Sequence, residues 1–304
     1  MKTLAKLATS FLVVALAASC SRNNIEAVNL AIDADKVVKT NVDDAISKYE
    51  QATTLDPTNH RILWKLANAY WKKEQWDKVV STCAKAEKLA PTRADYTEKR
   101  GMALARQAVK GPTNWSDAKG PLEEAIGKDT NLPDAHFELA EVFLRLDDEQ
   151  GALREYTKAI DTRPSTLGFY GPLVELYYRL GYIDLAEQTV KEGLSFSKED
   201  DKGVFGLHSL YGQIHESRNR FDDALREYEL AKRACGQCTE PGQQIAFFNL
   251  GAAYAQVTPP RKSEAMTQLT AFQKMICKGA AAARYADQCA QAQQFASKMG
   301  GQLQ

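Results

Sequence analysis

His60-Arg61-Ile62-Leu63-Trp64-Lys65-Leu66-Ala67-Asn68-Ala69-Tyr70 is the stretch that decides the fold. Leu63, Leu66, Ala67 and Tyr70 share one face of a helix, because residues three and four apart stack on the same side of a 3.6-residue turn. A second helical run follows with Val79, Cys83 and Ala86, and Pro91 closes it. Counting His60 as step 1, apolar or small residues fall at steps 4, 7, 8, 11, 20, 24 and 27, with Pro at step 32. Small residues at steps 8 and 20 let two antiparallel helices approach closely, and large residues at steps 4, 7, 11 and 24 fill the space around them. The proline cannot continue the second helix.

The frame recurs. It returns from Glu26 with Ala45, Tyr49, Ala52 and Pro57, and from Pro133 with Leu139, Ala140, Phe143, Ala152, Tyr156, Ala159 and Pro164. Further units start near Ala94 with Gly101 and Leu104, near Leu167 with Tyr177 and Ala186, near Phe205 with Gly212, Ala224, Tyr228 and Ala231, and near Gln244 with Leu250, Gly251 and Tyr254. A period near 34 residues built of helix pairs resembles the tetratricopeptide repeat (TPR). The resemblance implies an all-α superhelical solenoid of about seven helix-turn-helix repeats over residues 26–279, in which neighbours cover each other's apolar faces. The first unit is the weakest, since Asp33 stands at its step 8.

Departures from the frame place the loops. Lys110-Gly111-Pro112-Thr113-Asn114-Trp115 lengthens the turn in the third unit, and Val257-Thr258-Pro259-Pro260-Arg261 does so in the seventh. Ala280 to Lys298, within a final segment 280–304, reads as a capping helix and tail for the last apolar face.

The N-terminus follows another logic. Lys2 and Lys6 precede the apolar run Leu7 to Ala18, as in a secretory signal, and Leu16-Ala17-Ala18-Ser19-Cys20 resembles a bacterial lipobox. That resemblance implies a signal peptide over 1–19, a palmitate-type covalent lipid on Cys20, a short tether over 20–25 and no other cofactor. With Ser21 rather than Asp after the cysteine, it points to a cell-envelope protein on the outer membrane, facing the periplasm. The alternative is ordinary secretion with cleavage at Ala17 to Ser19.

Composition narrows the rest. Hydrophobic residues make up 44% and charged residues 26%, which favours a folded core over disorder. Lys plus Arg equal Asp plus Glu at 39 each, so no global field selects nucleic acid as a partner. Removing Lys2 and Lys6 leaves 37 basic side chains against 39 acidic ones. There is no phosphate loop, nucleophile elbow or H-E-x-x-H, so nothing nominates catalysis.

In TPR arrays the first helix of each unit lines a groove through steps 2, 5, 9, 12 and 13. The resemblance carries this onto Arg61, Trp64, Asn68, Trp71 and Lys72, a possible anchor for a protein or peptide. The alternative is that Trp64 and Trp71 pack between helices. Step 13 is basic in Lys72, Arg106, Arg145 and Arg179, while Glu98, Glu141 and Glu175 stand at steps 5 or 9. That ladder either meets a ligand's carboxylates or is neutralised in place, which is the preferred reading. Asn68 also matches a family clamp for C-terminal carboxylates, but Trp64 replaces its lysine, so that clamp is incomplete.

Five cysteines remain beyond Cys20. Cys83 stands at a packing step and reads as a buried free thiol. The preferred pairing is Cys235 with Cys238 and Cys277 with Cys289, with cross pairings open. Redox chemistry is disfavoured because Cys235-Gly236-Gln237-Cys238 follows a helix instead of beginning one. A zinc site from the same four cysteines competes with disulfides in an oxidising compartment. His208 and His215 fall at core steps and read as packing residues. Two functions follow: an envelope adaptor, resembling TPR lipoproteins that act as pilotins or scaffolds, or a cysteine-based metal-binding or redox-responsive module.

Overall fold

The computed structural model describes residues 22–111, 114–198, 203–240, 242–279 and 281–303. The signal peptide, Cys20 and its lipid lie outside the described residues. Helix α1 spans residues 22–37, beginning inside the stretch expected as a tether. It is followed by α2 (Val42–Leu55), α3 (His60–Lys72), α4 (Trp76–Leu89), α5 (Ala94–Lys110), α6 (Trp115–Lys128), α7 (Pro133–Arg145) and α8 (Glu149–Thr162). Then come α9 (Tyr170–Arg179), α10 (Ile183–Ser195), α11 (Val204–Ser217), α12 (Phe221–Cys235), α13 (Ile245–Gln256), α14 (Lys262–Phe272) and α15 (Ala286–Lys298). No strand occurs among the described residues. The chain divides into two compact units, the first ending at Ala159 and the second beginning at Ile160.

In unit 1 the core is drawn from the marked steps. Ala45, Tyr49 and Ala52 of α2 meet Leu66, Ala67 and Tyr70 of α3 and Val79 and Cys83 of α4. Each large side chain buried this way contributes roughly 1.5–3 kcal/mol. Helix starts are set locally: Asn41 Oδ1 accepts from the Asp44 amide at 3.1 Å and Asn59 Oδ1 from the Ile62 amide at 3.3 Å. Asp56 ties the turn between α2 and α3 by accepting from the Thr58 hydroxyl at 2.9 Å and the Asn59 amide group at 3.2 Å.

The weak first helix forms after all, one residue out of frame. Ala27, Ala31 and Ala34 enter the core, so Ala34 takes the small-residue position, while Asp33 faces water and pairs with Lys36 at 2.7 Å. The third unit also differs from the loop expected: α5 is 17 residues long against 13 for α3, so part of the insertion extends the helix through Lys110.

The turn inside a repeat has a fixed device. Glu74, Asp147, Gly181 and Asn219 each stand at step 15 of their units, with φ of 53°, 59°, 79° and 57°. One left-handed residue there reverses the chain into the second helix, at a cost of about 1–2 kcal/mol where a Cβ is present.

Unit 2 repeats the arrangement, with Ala224, Leu225 and Tyr228 against Leu250, Ala253 and Val257. The close approach at step 8 is visible at Gly212, where an added Cβ would stand 2.4 Å from the Tyr228 ring. The terminal segment is less regular than the single cap expected: α14 ends in a π-helical turn, Gln273–Cys277, a 3-10 turn spans Ala282–Tyr285, and α15 follows. Ala292 of α15 packs with Phe248, Leu269, Phe272 and Ile276, covering the last apolar face.

Candidate protein-binding face

In unit 1 the first helices α3, α5 and α7 carry the residues singled out by the repeat. Trp64 and Trp71 are half-buried, each with part of its ring against the core. The Trp64 ring lies 5.1 Å from Tyr96 and the Trp71 ring 4.9 Å from Trp76, edge-on. Over both sits one cation: Lys99 Nζ is 4.5 Å from the Trp71 ring centre and 5.5 Å from that of Trp64. Such contacts are worth roughly 0.5–2 kcal/mol according to their desolvation. Burial lowers the Lys99 ammonium pKa, opposed by the charges of neighbouring acids.

Lys99 was not among the residues marked in the sequence. At step 6 it lies between two groove steps, and only the packing of α5 on α3 brings it over the indoles. The device recurs, since Lys110 lies 6.0 Å from the Trp76 ring centre and Arg145 5.5 Å from that of Trp115. Asn68 binds within its own helix, donating to the Trp64 carbonyl at 2.8 Å, while Arg61 and Lys72 are exposed.

The basic ladder is neutralised partly in place, but by other partners than those expected. Arg106 pairs with buried Glu138, one of its contacts being 3.2 Å. Lys72 reaches the Val38 carbonyl at 3.4 Å. Glu138 is raised by burial despite Arg106, and Glu98 by burial and by Asp134, with the Ala135 amide opposing it. Glu141 accepts the hydroxyl of Tyr156. Glu175 and Arg179 are exposed on α9, in unit 2.

That tyrosine contact belongs to a set. Tyr49 donates to Asp35 at 2.5 Å and Tyr228 to Glu216 at 2.8 Å, each from the second helix of a pair to an acid on the first. In the α3–α4 pair the tyrosine position is Cys83, a buried free thiol whose pKa burial pushes up to about 12. A protonated, enclosed sulfur is a packing group and not a nucleophile.

Unit 2 offers a different surface. Glu216, Asn219, Phe221, Phe248, Gln256 and Phe295 border a hollow of about 310 Å³. Glu216 is raised by burial, while Tyr228 and Gln256 donate hydrogen bonds that oppose the shift. Nearby, His208 lies 2.7 Å from Glu227 and His215 stacks on Tyr211 at 4.3 Å.

The cysteines close in two bridges, Cys235–Cys238 and Cys277–Cys289, with Cα separations of 4.7 and 5.8 Å. Sulfurs joined in these pairs are not available as four thiolate ligands. No cluster of three or more potential ligands occurs among the described residues.

The TPR repeat model matches residues 41–74 and the tetratricopeptide repeat model residues 113–165. No curated protein matches the chain. Among solved structures, the C-terminal part of a TPR repeat-containing protein from Cytophaga hutchinsonii is similar at 16% identity and a TM-score of 0.60, over 83% of this chain and 97% of that one. PilW, described as a widely conserved type IV pilus biogenesis factor, is similar at 14% identity and a TM-score of 0.57, over 72% and 97%. YrrB, described as a TPR protein with an unusual peptide-binding site, is similar at 15% identity and a TM-score of 0.50, over 65% and 95%. At these identities the likeness is one of fold.

Proposed function

We propose that this chain, a tetratricopeptide-repeat protein, is an adaptor that holds a protein or peptide partner on the first-helix face of unit 1 and is tethered to the cell envelope by a lipid on Cys20. The observation that carries the binding role is the cluster of Trp64, Trp71 and Lys99, two indoles under one cation. Large aromatic rings beside charged groups are the surface type that dominates binding energy at interfaces, since a few such residues supply most of it. Glu98, with its pKa raised, lies within the electrostatic reach of Lys99, and the Arg106–Glu138 pair lies further along α5, so a partner on this face meets apolar area and both signs of charge.

The anchor is supported by the likeness of Leu16 to Cys20 to a lipobox. Ser21 after Cys20 favours the outer membrane by resemblance, and the bridged cysteines suit an oxidising compartment. A type IV pilus assembly is one candidate setting, by analogy with PilW.

The test is retention of envelope proteins on the immobilised mature domain, compared with a Trp64→Ala, Trp71→Ala variant that still gives the helical circular-dichroism signal. At least a ten-fold loss of a specific partner is expected, the consequence of about 1.4 kcal/mol or more at a central aromatic pair. Identical partner lists at equal recovery would place the binding face elsewhere. Palmitate labelling of wild type and Cys20→Ala tests the tether independently.

A further inference from the structure

Helix α1 has a second apolar face that the core does not use. Ala27, Ala31 and Ala34 point into unit 1, whereas Ile25, Val28 and Ile32 remain 63%, 44% and 46% exposed. Their spacing of three and four residues aligns them in one stripe along the helix. At about 100° per residue, Lys36 falls beside the stripe, paired with Asp33. Terminal repeats normally turn a polar outer face to water. This one presents three β-branched side chains instead, the apolar stripe of a helix that lies in a membrane surface.

The chain ahead of α1 says what covers the stripe. Cys20 stands two residues before the helix begins. Arg22, the first described residue of the helix, is two positions after Cys20 and at most about 7 Å from it even along an extended chain, so an acylated Cys20 leaves α1 no spacer with which to stand off the bilayer. A second copy of the chain is a poor occupant by area, since three side chains supply a small part of the ~1,200 Å² that a stable interface buries.

We propose that Ile25, Val28 and Ile32 of α1 seat in the phospholipid surface, so that the anchor fixes the orientation of unit 1 as well as its location. This rests on the lipid-anchor reading of Cys20. The test uses the purified mature lipoprotein in phosphatidylethanolamine and phosphatidylglycerol vesicles, carrying Val28→Cys or Glu26→Cys, the latter on a solvent face of the same helix. Labelling by a membrane-impermeant maleimide is compared with that of the same chain bearing Cys20→Ser. Buried Cys83 and the two bridges keep the background low.

Position 28 should react at least ten-fold more slowly in the lipidated chain than in the Cys20→Ser chain, while position 26 changes less than two-fold. Equal rates at position 28 in a palmitate-labelled chain would overturn the membrane seat and leave the anchor standing. Absence of palmitate would overturn both. Slow labelling of position 28 in the Cys20→Ser chain without vesicles would overturn the seat in favour of a second copy of the protein.

Discussion

Units 1 and 2 share a repeat but are fastened differently. Unit 1 contains all four tryptophans, and cations bridge its repeats on those rings or on acids of a neighbouring repeat, as Lys99 and Arg106 do. Unit 2 contains both disulfides, and its terminal elements gather around Phe248 and Phe272. Where each repeat buries its faces on its neighbours, side-chain contacts suffice. Where the array ends, regular pairing gives way to a π-helical turn and a 3-10 turn, and the chain is held covalently. The difference teaches that the repeat specifies the pair, while the ends and the binding face are specified by residues outside it.

The largest expected effect breaks the two units apart. Closing a loop by Cys277–Cys289 lowers the entropy of the unfolded chain by an amount worth about 3 kcal/mol, and the short Cys235–Cys238 loop adds roughly 2 kcal/mol or less. Reduction should therefore destabilise unit 2 by up to about 3–5 kcal/mol. Unit 1, whose one described cysteine is unpaired, should be unaffected. Because tryptophan fluorescence reports unit 1 alone, urea unfolding followed by fluorescence should not move with reductant, while far-ultraviolet circular dichroism gains an early transition. A shift of both signals together would mean that the units unfold as one.

Acid should sharpen the same contrast with opposite signs. At Glu187 burial favours the neutral acid, but hydrogen bonds and charge from Lys191 and Arg220 outweigh it and hold the pKa at about 2. A lowered carboxylate contributes stability that is present above its unfolded value near 4.5 and lost as pH falls toward about 2. The expected loss is on the order of 1–2 kcal/mol after allowance for solvent screening. Glu98 and Glu138 in unit 1 are raised, so their contribution is fully present below 4.5 and is lost as pH rises through the folded values. From pH 4.5 to 2.5, Glu187→Gln should flatten the loss of circular-dichroism stability relative to wild type while leaving the fluorescence transition where it was. Equal slopes would remove Glu187 as the source.

Packing gives a smaller difference. Gly212→Ala drives a Cβ to 2.4 Å from the Tyr228 ring, whereas at Gly101 the nearest atoms are Cγ of buried Leu122 at 2.8 Å and its backbone nitrogen at 3.1 Å. Alanine also gains up to about 1 kcal/mol in helix propensity. Gly212→Ala should lose about 1–2 kcal/mol net, and Gly101→Ala a smaller amount, below about 1 kcal/mol. Thermal melts of the two variants decide it. Equal losses would show that the leucine is held as rigidly as the ring.

These cases mark what the sequence could carry. Leu66, Ala67, Val79 and Cys83 were legible as core because burial imposes a period. The slip from Asp33 to Ala34 was not, since one residue of loop length resets the frame without changing the pattern of α1. Within the candidate face, Trp64, Asn68 and Trp71 fall on one helix and share a side by spacing alone. Lys99 and the pairing of Arg106 with Glu138 depend on how α5 meets its neighbours, which spacing within one helix does not encode. The left-handed position was half legible: Gly181 and Asn219 announce it, and Glu74 and Asp147 do not.

The smallest expected effect concerns how much of unit 1's charge network contributes to stability. Lys73 and Asp43 pair at 3.0 Å across neighbouring repeats, but their side chains are 38% and 72% exposed, and such pairs give about 0–1 kcal/mol after side-chain ordering and screening. Arg106 and Glu138 form a pair of the same kind, but the acid is 5% exposed. Removing the arginine leaves a buried carboxylate that either takes up a proton or stays charged without its counter-ion. Lys73→Ala should therefore change the fluorescence-detected midpoint by less than about 0.5 kcal/mol, and Arg106→Ala by about 1–2 kcal/mol, largest at neutral pH and shrinking toward pH 4 as Glu138 protonates. A Lys73 effect as large as that of Arg106, or an Arg106 effect independent of pH, would mean that burial of the acid is not what distinguishes the two pairs.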